Sequence, residues 1–425
     1  MPISVRLEKD KCRGCTHCVK VCPTKAIRVR FGISHIIGEK CIDCGECVQV
    51  CPQHAKKAVS DNLDHIADFK HTIVMPAPAL YGQFHNLSDV NIVLQALLDL
   101  GFDEVFEPSA VEDLISDLTL RELDDEGRER PVISSACPVV VRLISQKFPN
   151  LIPNISKYLS PPELAAKLAR ERARIKTGLD DKDIGVFFVS SCPANVTEAH
   201  YPLGLKEPVI DYVLSMTDVY KRLLSLMDGT KKHDYLRTPP VGDGRPYKDY
   251  NVISCNGLSD VIKLLDAVEG EQLPDVDYLE LFSCVPGCCG GCMTVENPFA
   301  AKARLMKLTA ADKTGGTGME PPLCPAGHLP ALRTEQIEYA PTGILDADFK
   351  TALGKMKRVE DLNNRLPGLD CGSCGSPGCR ELALDVVMGY ADETDCVFNA
   401  RAMMEDGGDA NSYLPPPFRK SANPP

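Results

Sequence analysis

A cysteine motif that occurs twice constrains the first 60 residues more than any other feature of this chain. The two copies, each followed by proline, are Cys12-x2-Cys15-x2-Cys18-x3-Cys22 and, 29 residues later, Cys41-x2-Cys44-x2-Cys47-x3-Cys51. Three closely spaced thiols with a more distant fourth are typical of paired [4Fe–4S] cubes, in which the fourth cysteine of each run ligates the other cube. The motif therefore predicts two clusters, with the ligand sets Cys12, Cys15, Cys18 and Cys51, and Cys22, Cys41, Cys44 and Cys47.

Zinc is the alternative metal for Cys-x2-Cys pairs, but a duplicated three-cysteine run with a distant fourth cysteine is not a zinc-ribbon spacing. We therefore interpret residues 1–60 as a ferredoxin-like α+β module whose two cubes form an electron relay. The chain has 20 cysteines, and its N-terminus lacks the apolar segment that is typical of a secretory signal. We therefore expect metal ligands in a reducing cytoplasm and not disulfides.

Charge and hydropathy disfavour two classes of main partner. The net charge of −12 disfavours nucleic acid and anionic membrane surfaces, because both attract basic proteins. The sequence has no run of about 18 uncharged apolar residues, so no membrane-spanning helix is expected. The 44% of hydrophobic and 25% of charged residues are ordinary for a globular protein with a large core.

A further cysteine group follows a predicted helical linker over 351–366. It reads Cys371-x2-Cys374-x4-Cys379-x16-Cys396, and glycine and proline around its first three cysteines let backbone N–H groups approach the sulfurs. The group resembles the small [4Fe–4S] domain of some corrinoid iron–sulfur proteins and membrane electron-transfer subunits. We predict a third relay cluster within residues 351–412, with zinc as the alternative metal, and an unstructured proline-rich tail over 413–425.

Residues 61–350 show a different pattern, in which short β-rich runs alternate with amphipathic segments. The predicted strands are His71–Pro76, Pro131–Ser135, Ile184–Ser190, Asn251–Ser254 and Asp277–Ser283. The predicted helices between them include Asp89–Leu100, Glu163–Lys176, Val209–Met227 and Leu258–Val268. This alternation is typical of an α/β domain with parallel sheets.

Four cysteines of this block lie just after predicted strands. Cys137 and Cys192 each follow one strand, and Cys284 follows a third, with Cys288 four residues later. Ligands of open parallel sheets bind beyond the carboxyl ends of the strands, so these thiols are expected to converge on one buried cofactor. The alternative is that each is a core residue, since free cysteine is commonly buried.

The same segments resemble signature sequences of the [FeFe]-hydrogenases, over residues 1 to about 345. SSACP at 134–138 is similar to T-S-C-C-P, SSCPANVTEA at 190–199 to M-P-C-x-x-K-x-x-E-A, and LELFSCVPGC at 279–288 to V-E-V-M-A-C-x-x-G-C. MPAPAL at 75–80 and DLTLREL at 117–123 are similar to two further segments of the family. The C-terminal cluster domain adds the arrangement of the family's hydrogen-sensing branch.

The resemblance implies a two-lobed α/β domain with a six-iron cofactor, the H-cluster, in the cleft between the lobes. Its [4Fe–4S] part would be held by Cys137, Cys192, Cys284 and Cys288. Cys288 would also bridge to a two-iron unit carrying CO, cyanide and an azadithiolate. Four more residues are expected to border the cofactor: Pro78, Ala79, Ser160 and Phe282. Such a protein converts H2 reversibly to protons and electrons and depends on hydrogenase maturation proteins.

The residues that carry protons in typical family members are changed in this chain. The first thiol of T-S-C-C-P is replaced by Ala136, which has no exchangeable proton, and the next carboxylate aligns with Leu123. The serine and the outer glutamate of the relay align with Ser156 and Glu126, and we expect the rest of the acidic stretch 122–129 to be a solvated face. Each missing group can cost about 10²-fold or more in rate, so we expect the usual proton path not to operate.

The surroundings of the cofactor differ as well. Ser190 and Phe282 replace two family methionines, and Asn195 replaces a lysine that would donate to a cyanide. Asparagine keeps a donor but loses the positive charge, which changes the potential of the nearby metal unit. We therefore expect a slow or sensing-type hydrogenase. Sensing members often carry a signalling module after the last cluster, and none follows in this sequence. We therefore expect output to a separate redox or signalling partner, of the kinase or phosphatase type for example.

Four cysteines remain outside these sets: Cys255, Cys289, Cys292 and Cys324. Cys289 is a candidate replacement proton carrier because it adjoins Cys288, whereas Cys255 follows a strand and is expected in the core. Cys289, Cys292 and Cys324 could ligate an extra metal, although no spacing supports that strongly. Glu280 and Glu198 are candidate carboxylates for another proton path, with a structural ion pair as the alternative for both.

Two other functions stay open on the sequence alone. The chain could be a hydrogenase-like iron–sulfur protein that never receives the two-iron unit, like the eukaryotic iron–sulfur assembly factors of this shape. It could also be an electron-transfer subunit of a larger redox complex. The changed cyanide partner and the lost proton carriers favour the first of these alternatives, and the third accessory cluster disfavours it.

Overall fold

The computed structural model describes residues 3–227, 247–311 and 331–405. The chain divides into two compact units, Met1–Ala58 with Ala340–Pro425, and Val59–Tyr339. We name them the terminal unit and the central unit. The first and third predicted domains thus belong to one unit. Cys324 and the predicted tail at 413–425 lie outside the described residues.

The elements are numbered here in chain order. The strands are β1 Val5–Leu7, β2 Ile27–Arg30, β3 Ile33–Ile36, β4 Lys56–Ala58, β5 His71–Pro76, β6 Glu104–Val105, β7 Val132–Ile133, β8 Ile184–Ser190, β9 Tyr212–Ser215, β10 Val252–Asn256 and β11 Tyr278–Phe282. The α-helices are α1 His17–Val21, α2 Glu46–Gln49, α3 Asn91–Asp99, α4 Glu112–Leu123, α5 Pro138–Lys147, α6 Pro161–Thr177, α7 Pro193–His200, α8 Met216–Met227, α9 Leu258–Glu269, α10 Pro298–Ala311, α11 Phe349–Arg365, α12 Cys379–Val387 and α13 Val397–Glu405. None of the helices in the described ranges is long and apolar enough to cross a membrane.

The N-terminal part of the terminal unit is a ferredoxin-like module. β1 pairs antiparallel with β4, β2 pairs antiparallel with β3, and α1 contacts α2. Each helix follows a residue in the left-handed region, Thr16 with φ 63° and Gly45 with φ 79°. This turn lies between the second and third cysteines of each motif, so the third cysteines, Cys18 and Cys47, lie in the first turn of a helix.

The C-terminal part of the terminal unit is a small helical domain. α11 packs against α12, with Val359, Leu362 and Ala383 buried between them. Asp348 starts α11 by accepting a hydrogen bond from Thr351 N at 2.8 Å. α12 begins at Cys379, so this predicted ligand lies at a helix N-terminus.

The central unit contains two parallel sheets. One has the strand order β6-β5-β8-β9 and the other β10-β11-β7. β8 is buried along its whole length and β5 along all but its first residue, as expected for apolar strands with both faces covered. The predicted fold class, a ferredoxin-like module with a parallel α/β domain and a C-terminal iron–sulfur region, is confirmed.

One predicted helix is wrong in its first part. The segment Val209–Met227 was expected to be one helix, but β9 pairs with β8 and only α8 is helical. Val213 and Leu214 of β9 are 0% and 1% exposed, so burial at the sheet decides the local conformation and outweighs helix periodicity.

Candidate metal centres

The two cysteine runs of the ferredoxin-like module surround two small cavities. The Cys12 cavity is lined by Cys12, Cys15, Cys18 and Cys51, and the Cys41 cavity by Cys22, Cys41, Cys44 and Cys47. The fourth cysteine of each run therefore lies with three cysteines of the other run, in the exchange that the repeat predicts. Val29 lines the Cys12 cavity and Ile27 the Cys41 cavity, both from β2.

Backbone N–H groups point at sulfurs in both cavities. Ala26 N donates to Cys22 Sγ at 3.2 Å, and 29 residues later Ala55 N donates to Cys51 Sγ, also at 3.2 Å. Ser34 N donates to Cys12 Sγ at 3.4 Å. Such hydrogen bonds stabilise thiolates and adjust the reduction potential of a bound cluster. The donor sets and their surroundings therefore fit [4Fe–4S] clusters.

The C-terminal cysteines gather around a small apolar core. Cys374 and Cys396 are 8% and 6% exposed and pack with Leu382 of α12. Burial raises the pKa of the Cys374 thiol, and the nearby thiolates of Cys396 and Cys371 raise it further. Cys379 starts the helix that carries Leu382. The C-terminal set therefore lies around one helix end, as a single cluster requires.

Three of the four central cysteines follow strands, and the fourth, Cys288, lies in the 3-10 helix Gly287–Gly290. Cys137 follows β7, Cys192 follows β8 and Cys284 follows β11, so the thiols come from both parallel sheets. Cys137 and Cys192 directly precede α5 and α7, which begin with proline. Proline suits the first position of a helix, and helix N-termini favour negative charge such as that of a thiolate-held cluster.

Hydrogen-bond geometry and electrostatics both place the central sulfurs near one another, since Ser283 Oγ lies 3.6 Å from Cys137 Sγ and 3.6 Å from Cys284 Sγ. Burial raises the pKa of the Cys192 thiol well above its ordinary value, and the thiolates of Cys284 and Cys137 raise it further. Burial also raises the pKa of Cys288 to about 12, with Cys137 and Cys284 adding to the shift, although the residue as a whole is exposed. Charges repel one another in this way only at short separation. A bound iron would reverse the effect, because a positive metal stabilises its thiolate ligands.

Glycines bring the chain after Cys288 against the segment that carries Cys192. A Cβ on Gly291 would lie 2.3 Å from the Ser191 carbonyl oxygen, so only glycine fits there. Met293 N donates to the same oxygen at 3.0 Å. The two ligand-bearing segments therefore touch through their backbones, which fixes their separation.

The segment predicted to border the cofactor is the 3-10 helix Pro78–Gln83, directly after β5. It contacts the 3-10 helix Gly287–Gly290, which contains Cys288. Ala79 is 3% exposed. Gln83 Nε2 donates to Ala79 O at 3.0 Å, and its Oε1 accepts from Val295 N at 2.9 Å. Pro78 and Ala79 are therefore held beside the Cys288 segment.

Asn195 and Ser190 form a hydrogen-bonded pair at the Cys192 turn. Asn195 Nδ2 donates to Ser190 Oγ at 2.8 Å, and Cys192 N donates to the same oxygen at 3.1 Å. Ser190 is 0% exposed. The pair therefore supplies dipoles beside a predicted ligand but no net charge.

The structure corrects the expected position of the relay carboxylates. Glu126 is exposed, whereas Glu122, expected on a solvated face, is 0% exposed. Ser156 Oγ donates to Glu122 Oε2 at 2.6 Å, and Arg128 Nε donates to Glu122 Oε1 at 2.7 Å. The helix α4 ends at Leu123. Glu122 is therefore still helical and lies on the buried face of α4, whereas Glu126 lies in the turn after the helix.

Glu122 is held as an ion-paired structural group. Lys157 N donates to Glu122 Oε1 at 3.1 Å, so both carboxylate oxygens have partners. Leu123, which aligns with the family's carboxylate, is apolar and 0% exposed. Ala136 offers no proton, so the aligned path contains two positions that cannot pass one on.

A separate small cavity is lined by Asn195, Ser160, Glu163 and Glu198 among others. Ser160 caps α6, and its N donates to Glu163 Oε2 at 2.8 Å. Glu198 pairs with Arg142 at 3.1 Å. Burial raises the pKa of Glu198, which Arg142 opposes and Glu163 reinforces. Glu198 thus forms the structural ion pair that was the expected alternative to a role in proton transfer.

The remaining predicted residues have different surroundings. Cys289 is 3% exposed within an apolar core, and burial raises the pKa of its thiol, which Lys302 opposes. Glu280 accepts a hydrogen bond from Ser254 Oγ at 2.9 Å. Phe282, the last residue of β11, is half-buried.

Two of the unassigned cysteines differ from expectation. Cys255 was expected in the core but is only partly buried on β10, because that strand is at the edge of its sheet. The Cys292 thiolate lies near Cys192 and raises its pKa, a proximity that its sequence spacing did not indicate. Within residues 3–227, 247–311 and 331–405, no three His, Cys, Asp or Glu side chains come together around a single metal ion. The four thiolates of a [4Fe–4S] cube each bind a different iron and lie farther apart, so this finding concerns single-ion sites.

Three protein-family models match the chain. Residues 70–228 match the model "Iron only hydrogenase large subunit, C-terminal domain". Residues 4–52 match "4Fe-4S dicluster domain", and residues 366–398 match an iron–sulfur cluster model. The matches fall on the central unit, the ferredoxin-like module and the C-terminal cysteine group.

The curated relatives include hydrogenases and one assembly factor. The chain is 26% identical to Iron hydrogenase 1 of Clostridium pasteurianum in an alignment of 233 residues that covers 50% of this chain and 39% of that protein. It is 29% identical to the Periplasmic [Fe] hydrogenase large subunit of Nitratidesulfovibrio vulgaris, over 47% of this chain and 52% of that one. It is 26% identical to the Cytosolic Fe-S cluster assembly factor NAR1 of Sclerotinia sclerotiorum, over 40% of this chain and 29% of that one. The chain thus spans about half or less of the length of these relatives.

Solved structures with this fold include an [FeFe]-hydrogenase from Chlamydomonas reinhardtii, with a TM-score of 0.50 and 16% identity, covering 66% of this chain and 99% of that one. A second [FeFe]-hydrogenase structure also has a TM-score of 0.50 at 16% identity, covering 66% and 98%. At this identity the likeness establishes a shared fold.

Proposed function

The chain is an [FeFe]-hydrogenase-like iron–sulfur protein, and we propose that its central unit binds an H-cluster and converts H2 reversibly to protons and electrons. One observation carries the proposal: Cys137, Cys192 and Cys284 follow strands of two parallel sheets, Ser283 Oγ lies 3.6 Å from the sulfurs of both Cys137 and Cys284, and the segment after Cys288 packs against Ser191. Four thiols are the ligand set of a [4Fe–4S] cube. Gly291 supports the fit, because its missing side chain lets the two ligand segments meet.

When bound, the cofactor supplies the metal centre at which H2 is formed or split. The residues of the chain hold that centre and keep it dry. The N-termini of α5 and α7 direct partial positive charge at Cys137 and Cys192. Ala79 and Gln83 are 3% and 0% exposed, so the segment beside Cys288 excludes water.

We propose that turnover is slow because protons leave by an incomplete path. Ala136 cannot take a proton, Leu123 cannot pass one on, and both oxygens of Glu122 are occupied. Cys289 is the proposed replacement carrier, since it adjoins Cys288 and its thiol holds a transferable proton. Glu280, already bonded to Ser254, is a second candidate.

Slow turnover suits the detection of H2, because the signal of a sensor depends on the fraction of sites occupied by H2 and not on the amount of product released. Electrons would pass through the two clusters of the ferredoxin-like module and the C-terminal cluster to a redox or signalling partner in a reducing compartment, the cytoplasm. Asn195 supports a shifted reduction potential of the two-iron unit, since it replaces the charged lysine of the family with a neutral amide that is hydrogen-bonded to Ser190.

Infrared spectroscopy of the anaerobically matured protein tests the proposal. We expect stretching bands of CO and cyanide, and about 18 irons per chain, from four cubes of four irons and one two-iron unit. Cys288→Ala, matured in the same way, is the control and should lose the bands. A fully loaded protein without such bands would refute hydrogen chemistry.

A second function is favoured by the environment of Asn195. Its amide donates to Ser190, and an uncharged asparagine occupies the position that aligns with the family's lysine. In that case the central thiols hold a plain cube, and the protein is a non-catalytic hydrogenase-like iron–sulfur protein. It would contain about 16 irons and show no CO or cyanide bands.

A further inference from the structure

The C-terminal cysteine loop joins the ferredoxin-like module through a backbone contact. Val29 N, in β2, donates to Gly375 O at 2.8 Å. A Cβ on Gly375 would lie 2.0 Å from Val29 O, and its φ of +82° also favours glycine. Gly375 directly follows the predicted ligand Cys374, and Val29 lines the Cys12 cavity. One hydrogen bond therefore separates the ligand loop of one candidate cluster from the wall of another.

A buried ion cluster holds this contact. Asp385 of α12 is 5% exposed, and its Oδ2 accepts from Arg28 Nε at 2.6 Å, Arg30 Nη2 at 2.8 Å and Ser376 Oγ at 2.9 Å. The side chains of Arg28 and Arg30, both on β2, are 7% and 13% exposed. Arg30 Nη1 also donates to Cys374 O at 3.0 Å. Charge-assisted bonds of this kind, shielded from water, tolerate little displacement.

We propose that the C-terminal cluster exchanges electrons directly with the cluster of the Cys12 cavity, and that Asp385 with Arg28 and Arg30 is the positioning group for this transfer. The inference rests on the proposed function, since both cysteine sets must hold [4Fe–4S] clusters. In each step one cluster loses an electron and the other gains it. No bond forms or breaks, and no proton moves.

Two physical effects support the route. Electron tunnelling weakens steeply with distance and is aided by bonded paths, and the Val29–Gly375 hydrogen bond provides such a path from Cys374. The charge of Arg30 beside Cys374 stabilises the reduced, more negative form of the C-terminal cluster. We therefore expect Arg30→Gln to shift the potential of that cluster to more negative values, measured by a redox titration.

Electron paramagnetic resonance of the reduced full chain tests which clusters are paired. Cys44→Ser removes a ligand from the Cys41 cavity, and we expect the C-terminal and Cys12 clusters of this variant to remain magnetically coupled. Cys15→Ser is the matched change in the Cys12 cavity, and it should leave the C-terminal cluster with an uncoupled signal. The opposite pattern would refute the pairing.

Two further variants test the positioning role. Asp385→Asn weakens the ion cluster and Gly375→Ala pushes the loops apart, and we expect either change to weaken the coupling and slow transfer by at least an order of magnitude at unchanged iron content. Glu381→Gln, which weakens a single ion pair with Lys25, whose side chain is 51% exposed, is the control and should leave the coupling intact. If Asp385→Asn loses iron, Gly375→Ala decides. Wild-type coupling in a fully loaded Gly375→Ala would show that the contact does not position the clusters.

The failures of the two proposals are distinguishable. A wild-type protein with no signal from the C-terminal cysteines would refute this route while leaving the CO and cyanide bands unaffected. Missing bands with intact coupling would refute the hydrogen chemistry and leave the route standing.

Discussion

The terminal and central units gather thiols in different ways. In the terminal unit, three ligands of each ferredoxin-like cavity come from one short run, and the repeat supplies the fourth. In the central unit, four thiols come from three segments spread over 137–288 and from two sheets. The relay sites therefore depend on local loop geometry, whereas the central site depends on the tertiary fold of its unit.

Each unit also contains a buried carboxylate that accepts hydrogen bonds from arginine, and the two lie in different surroundings. Asp385 joins two cysteine-bearing domains through Arg28 and Arg30. Glu122 accepts hydrogen bonds from Arg128 and Ser156, in the segment that aligns with the proton path of the family. Charge-assisted hydrogen bonds from arginine fix the position of a carboxylate, which suits a structural joint and not a proton carrier.

The largest expected effect comes from removing one ligand in each unit. Cys192→Ala should lose about six irons, because the two-iron unit is carried by the same cube, and with them the CO and cyanide bands. Cys44→Ala should lose about four irons and keep the bands. Iron analysis and infrared spectra of both variants measure this, and loss of the bands in Cys44→Ala would contradict independent sites.

The next effect concerns the stability of the central unit. Glu122→Ala leaves the Arg128 guanidinium without its buried partner, so we expect the free energy of unfolding to fall by about 3–5 kcal/mol. Denaturant titration of the full chain measures this. Glu171→Ala, which breaks an exposed pair with Arg174, is the matched control and should change little. Equal effects for both variants would mean that Glu122 is not desolvated.

Restoring the missing thiol should have a smaller effect. Ala136→Cys is expected to raise H2 turnover, but by less than the roughly 10²-fold of a complete relay group, since Leu123 still interrupts the path. Turnover of the matured variant under H2 measures this, with Ala136→Ser as a control of equal size and weaker acidity. Unchanged turnover at full metal content would show that another step is limiting.

The smallest effect depends on pH. The Asp61 carboxylate, 2.9 Å from His200 Nε2, raises the pKa of His200. The raised value means that stability is fully present below the unfolded pKa of about 6.5 and is lost as pH rises through the folded one. The His200 side chain is 37% exposed, so we expect less than about 1 kcal/mol. His200→Gln should remove this dependence from denaturant titrations of the central unit. A slope that persists in the variant would assign it to another group.

The sequence predicted the sites best where ligands are close together along the chain. The exchange of Cys22 and Cys51 between the two runs followed from spacing, because a three-cysteine loop leaves room for a fourth ligand only from the other repeat. Cys137 and Cys192 followed from strand patterning and the rule that ligands bind at the carboxyl ends of parallel strands.

Predictions failed where the outcome depended on contacts distant in sequence. Alignment gave Leu123 and Glu126 as relay positions, but which residue faces inward depends on where α4 ends, and that made Glu122 the partner of Ser156. Similarly, the segment Val209–Met227 was predicted to be helical, but its residue Val213 is buried in β9, which pairs with β8. The role of Asp385 could not be read from a chain that separates it so widely from Arg28.

That separation affects how the protein is made. Arg30 and Asp385 are 355 residues apart. A ribosome that adds about 5–20 residues per second needs on the order of 20–70 s to deliver the acidic partner after the basic strand. Throughout that interval β2 carries two arginines with no carboxylate from α12 to neutralise them. A nascent chain stalled before α12 therefore presents a cationic face that the finished protein conceals.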